Sequence, residues 1–223
     1  MHTLLTSSSQ KALVLGIALA AAGCASTKPV AYSGIATSAQ LQPSNNDVSG
    51  RVPFEYWAQV NWRSYSTFIL EPVTIYQGAD NQFEKISEED KTSLAQYMQT
   101  RFTEKLGTRF KSVASPSSNT LRIKVTLTGA KDSTPVVSTY TRFDLLLGGP
   151  YNAVQAARGK EGAFTGSVSY AVEIYDASTN QLLGAYVAKQ YPNPYNLKAT
   201  LGKRKASISG IEKGADQLLA YLS

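Results

Sequence analysis

The 223-residue chain holds one cysteine, Cys24, and one histidine, His2, both near its N-terminus. This distribution limits the chemistry available. A zinc site draws on His and Cys at close spacing, so none is expected in the body of the chain. Ser-His-Asp and Cys-His catalysis fall for the same reason, leaving carboxylates or a Ser-Lys pair for any hydrolytic activity. Glu161, Glu173 and Asp176 are the candidate carboxylates. Glu173 lies on an alternating strand pattern and Asp176 in turn chemistry, which are ordinary places for solvated acids. Gly202-Lys203 lacks the upstream glycine and strand of a phosphate-cradling loop. The glycines at 148, 149, 159, 162 and 166 form no dinucleotide fingerprint. The expectation is therefore no catalytic residue, no metal and no cofactor.

Residues that could bind a partner are easier to find. The glycine-rich stretch 145–164 mixes apolar residues with Tyr151, Arg158 and Lys160, and reads as a mobile loop or short helix at a sheet edge, or as a simple packed crossover. Lys198, Lys203, Arg204 and Lys205 form the densest basic cluster, just before or within the first turn of the last helix. Cations there oppose the helix dipole by a few tenths of a kcal/mol. The cluster is thus a candidate for anionic lipid or glycan, against the alternative of a solvated face. Tyr191-Pro192-Asn193-Pro194-Tyr195 reads as a rigid turn at the rim of the core. The net charge of +6, from 22 Lys and Arg against 16 Asp and Glu, is mild, and about +5 without Lys11. It lacks the clustering of a nucleic-acid binder, so no nucleic-acid partner is expected.

Cys24 has a different chemistry, set by what precedes it. Residues 12–22 (ALVLGIALAAA) are apolar, follow the single cation Lys11, and run directly into Gly23 and Cys24. Eleven apolar residues are too few for a bilayer-spanning helix, which needs about 20, but they suit the core of an export signal. Ala21, Ala22 and Gly23 before Cys24 resemble a bacterial lipobox, whose Cys becomes the acylated N-terminus. Ala21 stands where a Leu or Val is usual. Ordinary secretion is the alternative: Ala20 and Ala22 form an Ala-x-Ala cleavage site that would leave Cys24 as a free thiol. Acylation consumes that sulfur, which an oxidising compartment would otherwise attack. Ala25 rather than Asp after the Cys points to the outer membrane, with the domain on its periplasmic face.

The expected organisation is a signal over residues 1–23, a lipidated N-terminus with flexible tether over 24–50, and a single domain over 51–223. The tether is rich in Ser, Thr, Asn and Pro. Its phrase Tyr32-Ser33-Gly34-Ile35, with Leu41, could instead pack as an arm. Within the domain, Pro72 divides two β-prone runs and argues for an edge or bulged strand. Ser87 caps a helix carrying Leu94, Met98, Phe102 and Leu106. Alternation marks strands at 121–127 and 168–174, and 176–181 is turn chemistry ahead of a returning strand at 182–191. A final helix over 205–221 shows an apolar stripe. The fold class is thus expected to be α+β, a mostly antiparallel sheet of four to five strands with two helices packed on one face.

Taken together, the lipobox, the Gly34 arm, Leu70-Glu71-Pro72-Val73, the Ser87-x-x-Asp90 helix, Leu121-Arg122-Ile123 and the 176–183 hairpin resemble an uncharacterised bacterial lipoprotein family, domain of unknown function 3313. The resemblance spans nearly the whole mature chain and implies no reaction. The functional expectation is a lipid-anchored, non-enzymatic binding or structural module whose partners are the membrane and another envelope protein or an anionic glycan or lipid. A carboxylate-dependent envelope enzyme is the rival, and would show acids clustered in a cleft with raised pKa values.

Overall fold

The computed structural model describes residues 27–45, 47, 49–133, 148–161, 165–193, 195–196 and 204–223. One sheet organises them. Its strands are β1 (Gln42–Pro43), β2 (Phe54–Trp57), β3 (Thr67–Leu70), β4 (Thr74–Ile75), β5 (Gln82–Glu84), β6 (Lys111–Ser112), β7 (Thr120–Lys131), β8 (Ser167–Asp176) and β9 (Leu182–Gln190). The helices are α1 (Glu88–Leu106), α2 (Gly148–Ala157) and α3 (Lys205–Tyr221). The spatial order is β1-β2-β9-β8-β7-β3-β6, with β4 and β5 also paired to β7.

This corrects the expected fold class. Among the described residues the sheet is mixed and nine-stranded, with three α-helices, rather than mostly antiparallel with four to five strands and two helices. The difference lies along the second edge of β7. There β3, β4 and β5 follow one another, each parallel to β7, against residues 120–123, 126–127 and 129–131. Strands of two to four residues are too short to show a period, so sequence alternation cannot reveal them. Pro72 sits where the first two separate. Glu71 N–H still reaches the Ile123 carbonyl at 2.9 Å, whereas Val73 N–H turns to Gln99 Oε1 at 2.8 Å. The proline thus breaks the outer line of the sheet between β3 and β4, where a missing N–H costs no ladder bond: β6 pairs only with Thr67 and Phe68, and β4 and β5 have β7 as their one partner strand among the described residues.

The long elements follow from their patterns. The Ser87 hydroxyl accepts from the Asp90 N–H at 3.2 Å, and Glu88, Glu89 and Asp90 place negative charge on the first turn of α1. Leu94, Met98, Phe102 and Leu106 then meet Ile123, Val125, Tyr170 and Val172 in the main core. Helix α3 joins them through Ile211, Ala215 and Leu218. Among the described residues, no helix is long and apolar enough to cross a membrane.

Eight successive residues of β8 and eight of β9 are buried, so neither strand has a solvent face. Helices α1 and α3 cover one side. The other is covered by residues 31–41: Tyr32, Ile35 and Leu41 pack with Tyr76 on Ala171, Ala185 and Val187. Much of the stretch expected as tether with a possible arm is therefore held against this second face. Ser33 N–H donates to Asp80 Oδ2 and Gly34 N–H to Tyr76 Oη, both at 2.9 Å, while Tyr76 Oη donates to Asp80 Oδ1 at 2.7 Å.

Helix α3 approaches the sheet closely because two of its inward positions are glycine. A Cβ at Gly214 would lie 2.3 Å from Tyr170 Oη, and one at Gly210 would lie 2.7 Å from Val168 Cγ1. Gly214→Ala should therefore lower stability by about 1–3 kcal/mol through overpacking, against an intrinsic helical gain of about 1 kcal/mol. Urea unfolding checks this, and a more stable variant would mean that α3 can lift from Tyr170 without cost.

Candidate functional site

The candidate site lies where three segments meet at one end of the β8–β9 hairpin: the chain entering at Thr27, the turn closing α2, and the end of β9. Lys189 holds them together. Alternation along β9 puts it on the same side as Ala185 and Val187, the side covered by the arm, and its side chain is only 6% exposed. The ammonium lies 2.8 Å from the Glu161 carboxylate, itself 3% exposed, and donates to the Thr27 carbonyl at 2.8 Å. A buried ammonium requires such partners, since desolvation disfavours an isolated charge by several kcal/mol.

Above this pair opens a polar pocket of about 310 Å³, with Lys28, Asp47, Gln155 and Lys160 among its lining. Its wall is well made. Asp47 accepts from Val52 N–H at 2.6 Å and from the Ser49 hydroxyl at 2.7 Å. Tyr191 Oη donates to the Ser49 carbonyl at 3.0 Å, and the Arg51 guanidinium stacks 4.0 Å above the Tyr191 ring. Burial pushes the Tyr191 phenol up to about 12, with Arg51 opposing.

The residues singled out from sequence are distributed unevenly. Tyr151 is on α2, accepting a 2.7 Å hydrogen bond from Gln155. Arg158 and Lys160 are exposed on the turn that follows, and Lys160 lines the pocket. Arg204 pairs with Asp90 of α1 at 2.8 Å, so an acid of one helix start offsets a cation at another. Lys205 is exposed in the first turn of α3. Cys24, Lys198 and Lys203 lie outside the described residues. Lys189 and Thr27 were not singled out. The signal for Lys189 was its parity, a lysine on the apolar side of a strand.

The three candidate carboxylates do not converge. Glu161 belongs to the pocket just described. Glu173 is buried in the middle of β8, accepting from Tyr175 Oη at 2.9 Å, and lines a second pocket of about 430 Å³ with Glu71 and Lys124. Asp176 organises the β8–β9 turn, accepting from Ser178 N–H and Thr179 N–H at 2.9 Å and from Tyr65 Oη at 2.8 Å. Hydrogen bonds from the Ser178 side chain, the Thr179 amide and Tyr65 hold its carboxyl far below the usual range. Asp80 is lowered likewise, first by Tyr76 and then by the Ser33 amide. Among the described residues, no group of three or more His, Cys, Asp or Glu is placed to hold a metal ion.

Comparison with known proteins gives a family and distant folds. The model of a family described as a protein of unknown function, DUF3313, matches residues 31–218. No curated protein matches the chain. Among solved structures, a PelC dodecamer from Paraburkholderia phytofirmans is 8% identical, covering 71% of this chain and 89% of that one with a TM-score of 0.37. A DUF4136 family protein from Bacteroides thetaiotaomicron is 12% identical over 75% and 94%, TM-score 0.36. A hypothetical protein from Chlamydia trachomatis is 10% identical over 70% and 98%, TM-score 0.34. At such scores these likenesses carry no argument about what this chain binds or builds.

Two outcomes follow from the geometry. Lys189→Met should cost about 3–5 kcal/mol by stranding the buried Glu161 charge, and adding Glu161→Gln should recover most of it. Urea unfolding of the two variants reads this directly; equal loss in both would mean that the pair is not what joins these segments. Asp176 titrates below its usual value near 3.8 in the folded chain, so its contribution is complete above that pH and is lost as pH falls through the depressed value. Asp176→Asn should accordingly lower stability across the neutral range and flatten its acid limb, so that urea unfolding shows the gap to the wild type closing as pH falls below about 4.

Proposed function

Because the chain belongs to the DUF3313 family of unknown function, which brings no reaction with it, we propose that it works by location and binding: a lipid-anchored cell-envelope module, acylated on Cys24 and facing the periplasm from the outer membrane. The observation that carries this reading is the apolar run over residues 12–22, ending in small residues directly before the only cysteine. That pattern gives the sulfur a use and makes it the new N-terminus. Several acyl chains, at about 0.8 kcal/mol per buried methylene, hold a domain on a bilayer without any protein segment spanning it.

The organisation of the charged groups supports binding over catalysis. A general acid or base needs a pKa moved toward the working pH. Asp80 and Asp176 are moved the other way, by hydrogen bonds that serve the arm and a turn. Glu161 and Lys189 neutralise each other in the interior. The basic cluster is a weaker binding candidate than the sequence implied, since Arg204 already has Asp90 as partner.

Intact-mass analysis and membrane fractionation of the wild type beside Cys24→Ala test the proposal. The expected result is an acyl mass increment on Cys24, with the wild type in the outer-membrane fraction and no increment in the variant. An unmodified wild-type N-terminus and identical fractionation of the two would overturn it.

A further inference from the structure

We infer that the end of the domain around Lys189 is a membrane-resting surface, fitted to the headgroup layer of a bilayer containing anionic phospholipid. The inference rests on the acylated Cys24 reading and adds to it an orientation and a contact face.

Three observations converge here. The first is apolar. Among the described residues, the large hydrophobic side chains that stay exposed are Val30 at 39%, Val154 at 47% and Tyr195 at 45%. They come from the three segments that meet at the pocket: Val30 follows the pocket-lining Thr27, Lys28 and Pro29, Val154 precedes Gln155, and Tyr195 lies just beyond Tyr191. Large apolar groups elsewhere among the described residues are at least partly covered. Exposure gathered at one end marks a contact surface, whereas scattered exposure would need no explanation.

The second observation is charge. Lys28 and Lys160 line the same pocket, Arg158 lies two residues before Lys160, and all three are exposed and make no ion pair among the described residues. Of the nearby acids, Glu161 is neutralised by Lys189, while Asp47, held by Val52 N–H and the Ser49 hydroxyl, keeps its charge and offsets one of the three cations. The excess at the rim is therefore positive. Lysine and arginine beside valine and tyrosine make an interfacial composition: stems and rings lie at the acyl boundary while ammonium and guanidinium groups reach phosphates.

The third is the position of the chain itself. Thr27 is pinned, its carbonyl on Lys189 and its hydroxyl donating to Glu84 Oε1 at 3.2 Å. Cys24 is three residues earlier, and three extended residues span at most about 11 Å. An acylated Cys24 therefore holds this end close to the bilayer. The turn at 176–181, at the far end of a nine-residue strand, is carried about 30 Å away.

The test uses the acylated chain in vesicles of phosphatidylethanolamine and phosphatidylglycerol doped with a nitroxide-labelled phosphatidylcholine. With Cys24 consumed by acylation, Val154→Cys, Tyr195→Cys and Gln181→Cys each supply a single thiol for a fluorophore at an exposed position. Loss of fluorescence at 154 and 195, with none at 181, is the expected result. Neutralising Lys28, Arg158 and Lys160 to Gln together should reduce that loss at 154 while vesicle retention stays unchanged. An acylated chain whose three positions are quenched alike, or not at all, overturns the face and leaves the anchor standing. A chain without acyl groups that stays off the vesicles overturns the anchor and this inference with it.

Discussion

One buried ammonium decides how the chain enters its own fold. Lys189 shares its charge between the Glu161 carboxylate and the Thr27 carbonyl, each at 2.8 Å. Left alone, that group would be unfavourable inside the protein by several kcal/mol. Supplied with both partners, it fixes the start of the arm, the turn after α2 and the last residues of β9 in one place. The pocket over it and the apolar side chains around it depend on this junction.

The arm completes a second structural requirement. A strand buried on both sides needs a cover on both sides. Helices α1 and α3 cover one face of β8 and β9, and residues 31–41 cover Ala171, Ala185 and Val187 on the other. The Asp80–Tyr76 pair then fastens the arm by receiving the Ser33 and Gly34 amides. The N-terminal region thus belongs to the sheet's packing, and the described chain reaches the domain at Thr27, well before the globular sequence pattern begins near Phe54.

Much of this was legible in residue order, and the exceptions have physical reasons. The 3.6-residue period of α1 and α3 and the alternation of β7, β8 and β9 reflect long elements against one core, where burial imposes a readable pattern. β3 and β4 fall in the β-prone runs on either side of Pro72, but their parallel pairing with β7 leaves no period, and β5 and β6, three and two residues long, are defined only by tertiary pairing at the open edges of β7 and β3. The arm has too few apolar residues to show a period, yet Tyr32, Ile35 and Leu41 suffice to cover three small side chains. At the site, Tyr151, Arg158 and Lys160 were identifiable by type, and Glu161 as a carboxylate. Its partner, Lys189, was hidden because a lysine in an alternating strand ordinarily marks the solvent side.

The orientation of the pocket toward Cys24 depends on the arm being part of the folded domain, since the arm fixes where the chain leaves it. Amide hydrogen exchange over residues 31–41 tests it most directly. Slow exchange at Ser33 and Gly34, comparable with the edge strands they pack beside, is the predicted result. Exchange at the rate of a free peptide across that segment would show a loose tether, and the domain would then have no fixed face toward the membrane.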